Sequence, residues 1–185
     1  MKIRSAAMVS LVAGVMVAVS GCSGSSGTPQ AATSEQTAPA AQQNKGAPAG
    51  SGHGLCFDLN SGLANESVKR LSAAPIGTWS IGLASDDPIS AGCDGVLSWM
   101  TVNTDTNHPY THVLFFTGGE YLGTATAEPY MFTVIAGKTR NTVSVTYRWT
   151  QNNDPMCCPQ GGPSTVVYTL NGTTVQAKGQ FPPHN

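Results

Sequence analysis

THVLFFTGGEYLGTAT, residues 111–126, sets apolar side chains on both sides of an extended chain around Gly118-Gly119. Two strand-competent runs separated by two glycines read as a hairpin, and a two-residue loop fixes the register. That register pairs Thr117 with Glu120, Phe116 with Tyr121, Phe115 with Leu122 and Leu114 with Gly123. Phe116 and Tyr121 then share one face, and Phe115 and Leu122 the other. A hairpin that is apolar on both faces needs cover on both, which places it at the centre of a domain.

The flanking segments supply partners. NTVSVTYRWT (141–150) alternates, with Val143, Val145, Tyr147 and Trp149 on one side and Thr142, Ser144, Thr146, Arg148 and Thr150 on the other, the pattern of a half-buried antiparallel strand. STVVYTLNGTTVQAKG (164–179) reads as a second hairpin, whose Asn171-Gly172 turn pairs Leu170 with Thr173 and Tyr168 with Val175. Its other face, with Thr169, Thr174 and Gln176, should meet water. Further strands are expected at 78–83, 96–102 and 130–135. NESVKRLSAA (65–74) predicts one short helix, with Asn65 as N-cap and Pro75 as its stop. These elements predict an α+β domain, with a mainly antiparallel sheet of seven or eight short strands and one short N-terminal helix.

The first residues decide the compartment. Lys2 and Arg4 precede an apolar run, Ala6 to Val19, that is shorter than the roughly 20 residues of a spanning helix, as in an export signal. It ends in Val19-Ser20-Gly21-Cys22, which resembles the bacterial lipobox, where the cysteine thiol takes diacylglycerol and becomes the mature N-terminus. Two or three acyl chains on Cys22, palmitate among them, would hold the protein at the membrane, since each buried CH₂ contributes about 0.8 kcal/mol. The expected organisation is a signal peptide at 1–21, a lipidated cysteine and disordered tether at 22–54, a β-rich domain at 55–180 and a tail at 181–185. From Ser23 to Gly54 there is no aromatic, Ile, Leu, Val or Met residue, so the segment cannot offset its ordering entropy. Its r.m.s. reach is on the order of 30 Å.

THVLFFTGGEYLGTATAEPY, a strand ending in YRW, and DPMCCPQGGP leading into STVVYTL together resemble the LppP/LprE family of actinobacterial, chiefly mycobacterial, lipoproteins. The likeness covers most of Leu55 to Gly179. It implies a lipoprotein of the cell envelope, and it brings no catalytic or binding residues with it.

With Cys22 assigned to lipid, Cys56, Cys93, Cys157 and Cys158 remain, and four thiols outside the cytoplasm read as two disulfides. Three connectivities are open. The two that send Cys157 and Cys158 to separate distant partners are preferred, because adjacent residues of an extended chain point to opposite sides. Each such loop would contribute on the order of 4 kcal/mol. The alternative for this stretch is a thiol or copper centre, in which Met156, Cys157 and Cys158 hold a soft cation.

Other candidates have plainer readings. His108 and His112 would lie roughly 13 Å apart along a strand, too far to share an ion. Asp86-Asp87-Pro88 reads as a turn, Glu120 and Glu128 sit at turns, and His53 and His184 fall in tails. No metal, cofactor or catalytic residue is expected. A net charge of -1 gives no general attraction to nucleic acid. The expectation is a non-enzymatic, lipid-anchored module on the extracytoplasmic face of the cell membrane. It would bind or scaffold an envelope protein, lipid or glycan, with Ser144, Thr146 and Arg148 as the candidate binding face.

Overall fold

A computed structural model describes residues 47–184 of the 185-residue chain. The expected export signal, Cys22 and the expected tether up to residue 46 lie outside the described residues.

Eight strands form two four-stranded antiparallel sheets in chain order. The first contains β1 (Trp79–Ala84), β2 (Ser98–Thr104), β3 (Thr111–Thr117) and β4 (Glu120–Thr124). The second contains β5 (Thr133–Lys138), β6 (Thr142–Trp149), β7 (Gly161–Asn171) and β8 (Thr174–Gly179). One helix, α1 (Gly62–Lys69), precedes them, and a 3-10 turn covers Ile89–Ala91. The expected α+β class is therefore corrected to mostly β: the helix is one eight-residue element laid on a body of sheet.

The sheets meet through Leu97, Trp99, Val113 and Phe115 on one side and Val143, Val145, Tyr147, Val166, Tyr168 and Leu170 on the other, all buried. The rings of Phe115 and Tyr168 lie 4.9 Å apart. Tyr168 donates its only hydroxyl proton to the Ala125 carbonyl at 3.0 Å, so the Tyr147 hydroxyl, 3.0 Å from it, must donate to Tyr168. Burial and the neighbouring Tyr168 push the Tyr147 phenol well above its ordinary value.

The opposite face of the first sheet carries Met100, Val102, Leu114 and Phe116, covered by α1 and by Phe57, whose ring stacks on Phe116 at 4.1 Å. Every residue of β3 is buried as a result. The double cover expected for this hairpin holds for β3 alone: β4 is the edge strand of the first sheet, and none of its residues is buried.

Local registers differ in instructive ways. Gly118 and Gly119 both have positive φ, as a tight hairpin turn needs, and Thr117–Glu120 and Phe116–Tyr121 pair as expected. A bulge at Leu122 then sets Phe115 opposite Gly123 and Leu114 opposite Thr124. In the second hairpin the loop is Gly172-Thr173, so Leu170 faces Val175 and Tyr168 faces Ala177. Gly172 alone has positive φ there, which suits the first central position of a type II′ turn, whereas an Asn171-Gly172 type I′ turn needs two such residues. The slip is two residues, which keeps every side chain on its expected face.

The helix begins earlier than expected: the Ser61 hydroxyl accepts from the Ala64 N–H at 3.2 Å, ahead of Asn65. This start brings Leu63 and Ala64 against Phe57 and the first sheet. The chain leaves the helix at Arg70, and the Trp79 indole N–H holds the Ser72 carbonyl at 2.8 Å. The strand expected at 130–135 lies at 133–138 instead. Residues 47–54, expected as the end of the tether, lie on the domain. Asp58 N–H donates to the Gly50 carbonyl at 2.8 Å, and a Cβ on Gly119 would stand 2.7 Å from the Ala49 nitrogen. Backbone hydrogen bonds rather than apolar burial hold this stretch, so its composition gave no sign of it.

Candidate functional site

β6 presents Ser144, Thr146 and Arg148 outward while Val143, Val145 and Tyr147 fill the core. The row continues across the sheet, with Thr146 opposite Val134 and Thr165, Ser144 opposite Val167, and Val167 opposite Lys178. The Thr146 and Thr165 hydroxyls are 2.9 Å apart. Val134 is 59% exposed and Val167 36%. Strands β5 to β8 contain no Asp or Glu, and their cations are Lys138, Arg148 and Lys178. Lys138 is turned to Asp87 in a largely shielded ion pair. Arg148 and Lys178 are exposed, and no side chain among the described residues pairs with either. The three residues named for binding thus lie together on an open, hydroxyl-rich, cationic sheet face.

The cysteines pair as Cys56–Cys93 and Cys157–Cys158. This corrects the preferred connectivity, in which the adjacent cysteines took distant partners. The physical reason is that Asp154 to Gln160, ahead of β7, do not run as an extended strand. The segment turns on itself, with the Cys158 N–H on the Pro155 carbonyl at 2.9 Å, so side chains that would diverge in a strand converge. Cys56 is buried, Cys93 is half-buried, and Cys157 and Cys158 are exposed.

The Cys56–Cys93 region is reinforced by groups the sequence did not reveal. Cys56 N–H donates to the Asp87 carbonyl at 2.8 Å, and Asp87 holds Lys138 of β5. Arg140 donates to the carbonyls of Ala91, Gly92 and Asp94. The partners of Lys138 and Arg140 lie 46 to 51 residues away, and nothing local in the sequence announces them.

His53, expected in a tail, stands 2.7 Å from the Asp58 carboxylate. Burial works to raise the Asp58 carboxyl, but the Asn60 N–H and His53 outweigh it and hold the group below its ordinary value. Asp58 and Asp86 share the lining of a cavity of about 270 Å³ with His53. Both Asp58 oxygens are occupied, one by His53 and the other by Asn60, so the carboxylate closes the loop that leads into α1. His108 lines a separate cavity of about 230 Å³ beside Met131 and Phe132. His112 is buried on β3 near Trp79. The structure therefore brings Asp58 and Asp86 together and leaves Asp87, His108 and His112 elsewhere. No group of three or more His, Cys, Asp or Glu residues among those described is arranged to hold a metal ion. No helix among them is long and apolar enough to cross a membrane.

Compared with known families, residues 93–173 match the model of the LppP/LprE lipoprotein family. The match runs from Cys93 through the Gly118-Gly119 hairpin to the turn after β7, taking in the cores of both sheets and the Cys157–Cys158 loop. Neither the curated proteins nor the solved structures compared with the chain gave a match.

Proposed function

We propose that the protein is a lipid-anchored cell-envelope lipoprotein, held at the extracytoplasmic face by acyl chains on Cys22, whose two-sheet domain is a non-enzymatic binding module for an anionic glycan. The similarity of residues 93–173 to LppP/LprE lipoproteins supports the anchor and the compartment. The observation that carries the ligand class is the outer face of the second sheet. It offers hydroxyls with Arg148 and Lys178, and its strands hold no carboxylate. Ser144 lies in the Lys178 row, so the two cations are separated by roughly 13 Å along the strands and about 10 Å across them. That spacing suits two charges of an extended polymer better than one small anion. Guanidinium and ammonium groups meet its phosphates or carboxylates, while Ser144, Thr146 and Thr165 exchange hydrogen bonds with its hydroxyls.

The full-length chain, applied to immobilised phosphomannan, should be retained in low salt, released as salt screens the charges, and ignore neutral mannan. Arg148→Gln and Lys178→Gln should each weaken retention by roughly 3- to 5-fold, about 1 kcal/mol or less. Equal retention on neutral mannan, or indifference to both substitutions, would sink the reading. No observation favours a soft-metal centre at Met156, Cys157 and Cys158: the two sulfurs are bonded to each other, and copper(I) calls for thiolates.

A further inference from the structure

The two disulfides occupy opposite environments. Cys56–Cys93 is set into the structure: Cys56 is 6% exposed, its N–H is bonded to Asp87, and the bridge joins the chain before α1 to the segment after the 3-10 turn. Cys157–Cys158 sits at the outer part of the β6–β7 loop with both residues exposed.

That loop is closed below the cysteines by other means. One Asp154 carboxylate oxygen accepts from Gln151 N–H at 2.7 Å and from Gln160 N–H at 2.8 Å, pinning the two ends of the loop together. Trp149 pairs with Gly161 directly beneath. Opening the Cys157–Cys158 bond therefore removes neither the neck nor any strand pair. The bond is exposed, and the loop that carries it has a second closure in Asp154.

We propose that Cys157–Cys158 is an exchangeable disulfide that accepts two electrons from a dithiol, while Cys56–Cys93 is a permanent tie. A dithiol thiolate attacks a sulfur of one of these two exposed residues. The sulfur–sulfur bond breaks, a mixed disulfide forms, and the adjacent cysteine leaves as a thiolate. The second thiol of the reductant, as its thiolate, then attacks the reductant's own sulfur in the mixed disulfide and releases the other protein thiolate. The protein gains two electrons and two protons, and the reductant leaves as a disulfide. The adjacency of the two cysteines selects a dithiol over a monothiol. After a monothiol attacks, the freed thiolate is one residue from the mixed disulfide and re-forms the original bond at high effective concentration. Only a reductant carrying its own second thiol competes with that closure.

The test uses the full-length chain in detergent, titrated with dithiothreitol, alkylated and mapped by peptide mass spectrometry. Cys157 and Cys158 should become alkylated together at a dithiothreitol concentration at least ~10-fold below that needed for Cys56 and Cys93. The near-ultraviolet circular dichroism of the buried aromatic residues should be unchanged as they open. Glutathione at equal thiol concentration should leave both closed, and diamide should re-form the bond after dithiothreitol is removed. The proposal is overturned if Cys56 and Cys93 open in the same concentration range. It is equally overturned if the aromatic signal collapses when Cys157 and Cys158 open, or if a stable glutathione adduct accumulates on either.

Discussion

The two sheets are built from similar strands yet lead different lives. In the first, β3 has no exposed residue, because the second sheet covers one face and α1 with Phe57 covers the other. In the second, β6 alternates buried and accessible residues, and its outer face is left to solvent. Apolar residues on both faces call for a third layer, whereas strict alternation dispenses with one. The first sheet is thus buried on both sides at β3, and the second keeps one accessible face among the described residues.

The contrast is broken most severely in the layer the sheets share. Phe115 is 2% exposed and rests against Tyr168. Phe115→Ala should cost about 3–5 kcal/mol, since it removes the ring and leaves a cavity between rigid sheets. Urea unfolding followed by circular dichroism reads the loss. A change under about 1 kcal/mol would mean that the sheets are not packed as described.

How much of this was legible depends on range along the chain. Period-2 alternation at 142–149 and glycine-bearing loops are local signals, and they located the second sheet's inner and outer faces and the centre of the first sheet. The bulge at Leu122 and the turn at Gly172-Thr173 are choices between nearby registers, decided by which residue takes positive φ and by packing on the opposite sheet. Cysteine pairing depended on whether residues 154–159 run straight or turn, and proline and glycine content alone did not decide it. The His53–Asp58 contact and the Arg140 and Lys138 ties are tertiary, so they surfaced only with the fold. Of the candidate site, the Ser144, Thr146 and Arg148 face was readable. Its extension through Thr165, Val167 and Lys178 required the strand order.

A second way to sharpen the comparison uses acid. His112 lies on the helix-covered face of β3, 5% exposed, with no hydrogen-bond partner for Nδ1 among the described residues and Trp79 at 5.4 Å. Burial lowers its pKa from 6.5 to about 4. The neutral ring is the folded form, so this contribution to stability is complete above about pH 6.5. It falls as the pH drops toward 4, because over that window the unfolded chain binds a proton that the folded chain refuses. The loss is on the order of 3 kcal/mol at its fullest. Comparing His112→Phe with the parent protein between pH 7 and 4 isolates it: the parent should lose more stability than the variant. Parallel pH profiles would remove His112 from the account.

The smallest effect tests the open face directly. Val143 and Val134 are both strand valines of the second sheet, one fully buried between the sheets and the other 59% exposed beside Thr146. Replacing a valine methyl with a hydroxyl hardly alters shape, so the substitution to threonine reports on solvation. Val143→Thr buries a hydroxyl in the apolar layer and should cost about 1–3 kcal/mol. Val134→Thr keeps a β-branched residue in water and should shift stability by less than about 0.5 kcal/mol. The same exchange should leave phosphomannan retention intact or improve it, since it adds a hydroxyl to the row of Thr146 and Thr165. A Val134→Thr variant as destabilised as Val143→Thr would show that something covers this face in the native chain. The second sheet would then be an interior layer like the first, and the cationic row would not be free to meet a ligand.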